Sequence, residues 1–426
     1  MARTVARHWE PRFEGAGRRD RQGCSYDAYV PDPLAGWQLE IPGDLAADVA
    51  DAEMAIRDLN DTGTKHVSLE GLARFLLRAE SVASSRIEGL DAGPRRLLDA
   101  ETAIALGGDA SDQVAVEILG NITAMETAVR YASQKTRFTL PDLLEVHAHL
   151  MESSRLAHLG GMIRTEQNWI GGSQYNPCTA AFVPPPPEAV PDLIDDLIDY
   201  VNADTHSPLV QAAVAHAQFE TIHPFADGNG RTGRALIHVV LRRRELAPRF
   251  VPPVSLILAT WATDYIRGLT DFRHLSPPGS TQRSRAAHTW LATFTTATRR
   301  ACSDAIRYAS DIENLEDTWR TQVGRIRGDS SLDRLLSVLP GAPIVTVASA
   351  AHLIDRSLVN TGAAINRLAE AGVVVQRNVG KQRYRVFHAD GVLDLFTALE
   401  RSLANPTGDT TTSPPGRPAP DRPKIR

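Results

Sequence analysis

The chain has 426 residues, 42% of them hydrophobic and 23% charged, with a formal net charge of −5; this is room for two or three domains and excludes a disordered or fibrous chain. The acidic balance argues against nucleic-acid binding over the whole surface, though a local basic face stays open, and no apolar run of signal-peptide or membrane-spanning kind occurs, so no membrane partner is expected. Cys24, Cys178 and Cys302 are scattered, with no CxxC pair and no even framework, which suits a reducing cytoplasm and needs no zinc.

From the N-terminus, Met1 to Gln22 is arginine-rich and reads as a loose arm, and residues 23–45 as an irregular segment packed through Tyr26, Tyr29 and Trp37. A helix is predicted over Leu45 to Asn60. Another runs from Ser68, with Leu69, Leu72, Phe75, Leu76 and Ala79 on one side, toward Ser84-Ser85-Arg86-Ile87-Glu88-Gly89. Ser84 and Glu88 are four apart and share a face, and Gly89 is a natural stop. Glu88 is misplaced by local rules. A carboxylate in the last helical turn meets the negative end of the helix dipole, so an external cation explains it better than helix stability does. The plain alternative is a surface glutamate before a capping glycine.

Ile118, Ile122, Met125 and Val129 mark an amphipathic helix, and Thr139-Leu-Pro-Asp142 starts the next with a capping residue and an early proline. That helix carries His147 and His149. Two residues apart on a helix they point to different sides, so His147 reads as a packed histidine bracing its neighbours and not as a metal ligand. Residues 160–187 break the helical pattern. Trp169, Ile170, Gly171, Gly172 and then Phe182-Val183 before four prolines read as two short strands closed by a polyproline segment. A helix over Pro191 to Asn202 follows.

The most informative stretch is His223-Pro-Phe-Ala-Asp-Gly-Asn-Gly-Arg-Thr-Gly-Arg234. Val210, Ala213, Val214, Ala217 and Phe219 give the helix before it, and Leu236, Ile237, Val239, Val240 and Leu241 the helix after it. Pro224 ends the first helix and is expected to push His223 into an extended conformation. Asn-Gly between apolar runs is also a hairpin signal, but these flanks repeat near 3.6 residues, so a helical pair is expected. Arg231 and Arg234 share a face in the first turn of the second helix, where positive partial charge already gathers. Beside glycine-rich backbone, that arrangement suits a polyphosphate, with Asp227 as the simplest Mg²⁺ ligand.

The string resembles the Fic family motif, His-x-Phe-x-Asp/Glu-Gly-Asn-Gly-Arg-x-x-Arg, at every defined position. The resemblance implies a mainly α fold, a Fic-type helical bundle with a short β-hairpin flap, that moves AMP from ATP onto a Ser, Thr or Tyr hydroxyl of a target protein. On that reading His223 is the general base, Asp227 holds Mg²⁺, Gly228, Asn229 and Gly230 form the anion hole, and Arg231 and Arg234 clamp the phosphates. Glycine at 228 favours adenylylation, because a phosphate-transferring relative carries lysine there. Ser84 to Gly89 is similar to the family's inhibitory motif, which implies that Glu88 pairs with Arg234 and blocks the γ-phosphate, with Ser84 supporting the geometry. Trp169, Ile170, Gly171 and Gly172 resemble the flap edge that takes the target segment as an added strand.

Helices are expected over Leu256 to Leu269 and Ser284 to Arg320, with an exposed loop from His274 to Gln282. After Arg327 three short helices (332–339, 348–354, 358–371), Val373-Val374-Val375 and Tyr384 to Phe387 follow the order of a C-terminal winged helix-turn-helix domain, a module Fic proteins often carry. Asn360, Asn366 and Arg367 are its candidate base contacts, and Arg377, Lys381, Arg383 and Arg385 a basic wing, so DNA is a candidate partner through residues 330–390 and a protein is the other. The tail from Ala404 is expected to be disordered. The expected division is 1–112 as an N-terminal region with the inhibitory helix, 113–327 as the catalytic core, 328–395 as the winged helix and 396–426 as a tail. Two rival functions stand beside this one: removal of AMP by the same residues, with Glu88 positioning water, and a DNA-binding regulator acting through residues 330–390. The resemblance also implies a homodimer as one regulatory form.

Overall fold

A computed structural model describes residues 1–12, 17–61, 69–105, 107–277, 279–377 and 385–403. Ser68, Lys381, Arg383, Tyr384 and the tail from Ala404 lie outside the described residues. In chain order the elements are β1 (Arg3–Trp9), β2 (Cys24–Val30), α1 (Gly43–Asp61), α2 (Leu69–Ile87), α3 (Pro94–Ala105), α4 (Gln113–Gln134), α5 (Leu140–Met151), α6 (Val190–Asn202), α7 (Pro208–Ile222), α8 (Asn229–Arg243), α9 (Val254–Thr260), α10 (Ala262–Phe272) and α11 (Thr281–Val323). A smaller module follows: α12 (Ser331–Val338), β3 (Ile344–Thr346), α13 (Val347–Ile354), α14 (Leu358–Glu370), β4 (Val375–Gln376), β5 (Val386–His388) and α15 (Asp390–Leu403).

The fold is mainly α, and α7 is its axis. Every residue from Leu209 to Ile222 is buried, the signature of a helix surrounded on all sides. Pro208 starts it where a missing N–H does no harm. α8 returns against it, and α1, α6, α10 and α11 close the rest of its surface. Each fully buried Leu, Ile or Phe contributes about 1.5–3 kcal/mol, so the apolar part of α7 outweighs its polar residues, provided these find partners. Trp290 on α11 is fully buried and its Nε1 donates to Ala213 O at 2.8 Å. Gly268 makes room for that indole, since a Cβ there would lie 2.8 Å from Trp290 Cε3.

α2 is locked to α8 and α9 by one buried acid. Glu80 accepts from Ser255 N at 2.7 Å and from the Ser255 hydroxyl, and pairs with His238 Nε2 at 2.9 Å, all three residues being buried. Glu80 lies one turn before Ser84, so this network also sets where the end of α2 falls. Glu80→Ala strands three polar groups in the interior and is expected to cost about 3–5 kcal/mol. A urea titration reads this as a lower midpoint at unchanged slope; an unmoved midpoint contradicts it.

The N-terminus departs from expectation. Arg3–Trp9 is strand β1, antiparallel to β2 with Arg3 opposite Val30 and Trp9 opposite Cys24. Arg3 and Arg7 share a strand face with Val5 and Trp9, so the alternation that would have marked a strand is broken by charge. The hairpin lies on the 160–187 segment: Tyr29 N donates to Val183 O at 2.9 Å, Trp9 meets Trp169 edge to face at 5.2 Å, and Asn176 Nδ2 donates to Arg19 O and Asp20 O, both at 2.9 Å. The cysteine reading is corrected here too. Cys24 and Cys178, 154 residues apart, form a disulfide with Cα atoms 5.7 Å apart, and Cys302 is free and buried. Sequence distance hid a pair that folding brings together, so the cysteines give no support to a reducing compartment. Closing so long a loop is expected to stabilise by about 2–4 kcal/mol. Reductant should therefore lower the melting temperature of the wild type and leave that of Cys24→Ser unmoved; a wild type indifferent to reductant counts against the crosslink. Among the described residues no helix is long and apolar enough to cross a membrane.

In the C-terminal module β3, β5 and β4 form one antiparallel sheet in that order, with α12, α13 and α14 packed together. β3, α3 and α15 were not anticipated, and α15 runs across the boundary expected at 395/396, packing on α11 and α3. Two of the three candidate base contacts are spent internally. Arg367 donates to Val323 O and Arg325 O, and Asn366 accepts from Arg385. Arg377 pairs with Asp390. Leu358 and Val359 at the start of α14 are instead 59% and 81% exposed, an apolar tip poorly suited to a phosphate backbone.

Candidate active site

The site forms where α7 ends and α8 begins. His223 caps α7, but with φ 51° and ψ 61°, not in the extended conformation expected before proline. The left-handed turn lets its N–H donate to Phe219 O at 2.9 Å and swings the chain round within one residue. A non-glycine residue held there costs about 1–3 kcal/mol, and such strain gathers at functional sites. The His223 carbonyl accepts from Arg164 Nε at 2.8 Å and Asn168 Nδ2 at 3.2 Å, while Pro224 O accepts from Arg164 N at 2.9 Å. Arg164 is buried and also donates to Pro185 O at 2.6 Å. Burial pulls its guanidinium down to about 10.

The turn to α8 is held from both sides. Asn229 closes a loop on Phe225, its Oδ1 accepting from Phe225 N and its Nδ2 donating to Phe225 O, both at 2.8 Å. Phe225 is buried and stacks on His147 at 3.7 Å. His147 Nδ1 accepts from Gly161 N, which leaves Nε2 to donate to Asp227 O at 3.0 Å. Burial lowers His147 to about 4, so it stays a neutral brace for the loop that carries Asp227. Gly228 has φ 73°, and a Cβ there would lie 3.0 Å from Leu150 Cδ2 and 3.2 Å from Met151 Sδ, so conformation and space both require glycine.

The first turn of α8 concentrates positive charge in the interior. Arg231 is 3% exposed, and its Nε and Nη1 are buried without a hydrogen-bond partner. Burial depresses its guanidinium. Asp227 Oδ2 stands 4.0 Å from its Nη2, on a side chain that is half exposed. An unsatisfied buried guanidinium is costly. Here it lies at a helix N-terminus, where backbone N–H groups and the dipole also favour an anion.

Arg234 is 1% exposed and differently satisfied. Its Nε donates to Ser84 Oγ at 2.9 Å, and its Nη2 to Ser84 O at 2.7 Å and Glu88 Oε1 at 2.8 Å. Glu88 lies one residue beyond α2, at 37% side-chain exposure. Burial works to raise its carboxyl, but Arg234, then Arg231 and His223, hold it below the ordinary carboxylate range. Burial works against the Arg234 charge, and Glu88 more than restores it. A Cβ at Gly230 would collide with the Glu88 carboxylate and come within 2.9 Å of Arg234 Nη1. The absent side chain is what lets Glu88 lie over the mouth of the anion pocket.

The 160–187 segment is looser than two strands. A single bridge joins Ile170 and Phe182, because Gly171 and Gly172, both at positive φ, and a 3₁₀ turn at Pro177–Thr179 interrupt the pairing. Trp169 Nε1 donates to Ser173 O at 2.6 Å, and Asn168 Nδ2 reaches Phe225 O at 2.9 Å. The segment is thereby tied to the turn that carries His223 and Phe225. Arg273 completes the wall, its guanidinium 3.9 Å from the Phe182 ring centre and its Nη2 donating to Glu220 O at 3.1 Å.

The structure therefore brings His223, Asp227, Gly228, Asn229, Gly230, Arg231, Arg234, Ser84 and Glu88 to one place, with Trp169 to Gly172 beside it. Arg164, Asn168, Glu220 and Arg273 were missed. Arg164 alone carried a hint, as a cation directly after the uncharged run Gly160-Gly161-Met162-Ile163. Among the described residues no group of three or more potential metal ligands occurs. One half-exposed carboxylate beside unpartnered phosphate donors fits Mg²⁺ carried mainly by phosphate oxygens and water.

Residues 137–241 match the family model described as Fic/DOC family, and residues 46–130 match Fic/DOC family N-terminal. The protein adenylyltransferase Fic of Drosophila willistoni is 35% identical over 159 residues, which is 36% of this chain and 29% of that protein. The protein adenylyltransferase fic-1 of Caenorhabditis elegans is 29% identical over 161 residues, 36% of this chain and 30% of its own length. The chain thus spans about 30% of the length of the relatives it matches. A crystal structure of a Fic family protein from Desulfovibrio desulfuricans G20 aligns over 83% of this chain and 98% of its own, at 22% identity and a TM-score of 0.49.

Proposed function

Since this chain is a member of the Fic/DOC family, we propose that it is a protein adenylyltransferase, moving AMP from ATP to a Ser, Thr or Tyr hydroxyl of a target protein and restrained by its own Glu88. The observation that carries this reading is the buried guanidinium of Arg231 at the N-terminus of α8, whose Nε and Nη1 have no hydrogen-bond partner among the described residues. A polyphosphate satisfies those donors, and Arg234 stands one turn further in for its distal end.

His223 is the base. Burial lowers its imidazole to about 4, with Arg273 adding to the effect, so at neutral pH the ring is uncharged and ready for a proton. The target oxygen bonds to the α-phosphorus as its proton passes to His223, the bond from that phosphorus to the bridging oxygen of the β-phosphate breaks, and pyrophosphate leaves. Asp227 would hold Mg²⁺, which when bound neutralises charge on the departing phosphates. The N–H groups of the 228–230 turn and Arg231 hold the phosphates throughout. The flap from Trp169 to Gly172, tied to the His223 carbonyl through Asn168, positions the target segment next to the base.

Glu88 restrains the reaction by occupying Arg234 and by placing a carboxylate where the terminal phosphate would lie. The test is transfer of label from α-labelled ATP by the wild type, Glu88→Gly and His223→Ala. The proposal needs labelling that rises with the first substitution and vanishes with the second. For residues 330–390 the helix and sheet order supports a winged helix serving as a protein platform, with the exposed Leu358 and Val359 as its tip.

A further inference from the structure

Glu220 is a buried acid that the transfer reaction as described does not use. It lies one turn before His223 on α7, with its Oε2 3.9 Å from His223 Nδ1. Both Glu220 Oε1 and His223 Nδ1 are buried without a hydrogen-bond partner. The slot is built for it. A Cβ at Gly233 would lie 2.8 Å from Glu220 Oε1 and 2.9 Å from Phe219 Cδ1, so glycine at that place on α8 is what admits the carboxylate. Glu220 faces the ring through Oε2, while Oε1 against Gly233 and His223 Nδ1 are left unpaired; unpaired buried polar atoms destabilise the fold, and violations of that kind mark functional positions.

We propose that Glu220 is the positioning residue of His223, accepting a hydrogen bond from Nδ1–H so that Nε2 is the free, basic nitrogen turned toward the target hydroxyl. The proposal rests on His223 being the base. A small rotation of either side chain closes 3.9 Å to hydrogen-bonding distance, and such contacts tighten in a loaded site. The Glu220 carboxylate, once ionised, also stabilises the imidazolium formed as the proton arrives, a task the nearby Glu220 carbonyl, already accepting from Arg273 at 3.1 Å, performs less well.

The chemistry gives the pairing a pH signature. Burial raises the Glu220 carboxyl to about 7, against the pull of Arg234 and Arg273, with Glu88 adding to the rise. His223, His216 across Gly233, and Tyr265 are the other titratable groups facing it. Below about 7 a protonated Glu220 offers Nδ1–H only a neutral carbonyl oxygen, a weaker acceptor without charge. Above it the carboxylate offers a charged acceptor. Transfer by the Glu88→Gly protein is therefore expected to rise with pH through a step near neutrality, displaced somewhat downward by the loss of Glu88.

The experiment adds Glu220→Gln and Glu220→Asp to Glu88→Gly and measures transfer from α-labelled ATP between pH 5.5 and 9. In parallel, imidazole signals of histidine-labelled protein are titrated, with His223 assigned by comparison with His223→Ala. Glu220→Gln is expected to lower kcat by about tenfold to a hundredfold, to leave KM for ATP within about twofold, and to erase the neutral step from both the rate profile and the His223 titration. Glu220→Asp keeps the charge and withdraws it by one methylene, so its step stays while kcat falls. Unchanged kcat and an unchanged neutral step in Glu220→Gln overturn the pairing, as does an unchanged kcat in Glu220→Asp. If the Glu88→Gly parent transfers no label, the transfer reading falls, and the imidazole titration alone then decides the pairing: the step lost in Glu220→Gln supports it, the step retained overturns it.

Discussion

On the proposed function, replacing Glu88 by glycine is expected to raise transfer of AMP by about tenfold, and at most about a hundredfold. The figure follows from the contact removed. Arg234 Nη2 donates to Glu88 Oε1 at 2.8 Å, and a hydrogen bond between charged groups is worth about 1.5–3 kcal/mol, each 1.36 kcal/mol being a factor of ten in rate. Glu88 is 37% exposed, so solvent screening places the effect toward the low end. Arg234 does not collapse when Glu88 goes, because the Ser84 carbonyl and hydroxyl still hold its Nη2 and Nε. It is released for a phosphate and keeps its place. Glu88→Gln, which retains a hydrogen bond without the charge, is expected to fall between wild type and Glu88→Gly. A Glu88→Gly protein that labels no faster than wild type removes the inhibitory role and leaves the catalytic turn untouched.

On the same reading, His223→Ala is expected to lower transfer in the Glu88→Gly background by about a hundredfold to ten-thousandfold, the contribution of a positioned general base. ATP affinity is expected to stay within about threefold, since the phosphates are held by Arg231, Arg234 and the turn. One complication is conformational. His223 stands at φ 51°, which alanine tolerates poorly, so His223→Ala also strains the turn. Asparagine is several-fold enriched in that region. His223→Asn therefore tests the chemistry with the backbone preserved, and it should be as inactive as His223→Ala. Retention of more than a tenth of the activity in His223→Asn assigns the base elsewhere.

Much of the turn from His223 to Arg234 was legible because it is contiguous. From His223 to Arg234 the chemistry-bearing residues lie within three helical turns of one another, so their spacing alone implied a shared anion pocket. Glu88 was legible for a different reason: it broke the dipole rule at the end of α2, and a broken local rule asks for a partner. What local rules could not supply was the conformation of His223. Proline after it excludes the right-handed helix, but two other regions remain, and the bond from its N–H to Phe219 O selects the left-handed one. Glu220 was invisible as well, since a glutamate on a helix is unremarkable until its burial against Gly233 is known.

By itself the sequence determined the helical class, the two helices flanking the turn, and the cations and histidine that any ligand there must meet, because periodicity and short spacings are properties of a few turns of chain. Only the tertiary structure decided which distant groups meet them: Glu88 with Arg234 across 146 residues, Cys24 with Cys178 across 154, and Arg164 and Asn168 beneath the His223 carbonyl. A helical pattern says which face is apolar but not which helix covers it. That choice is made when α7 is enclosed on every side and its few polar residues are left with one set of neighbours.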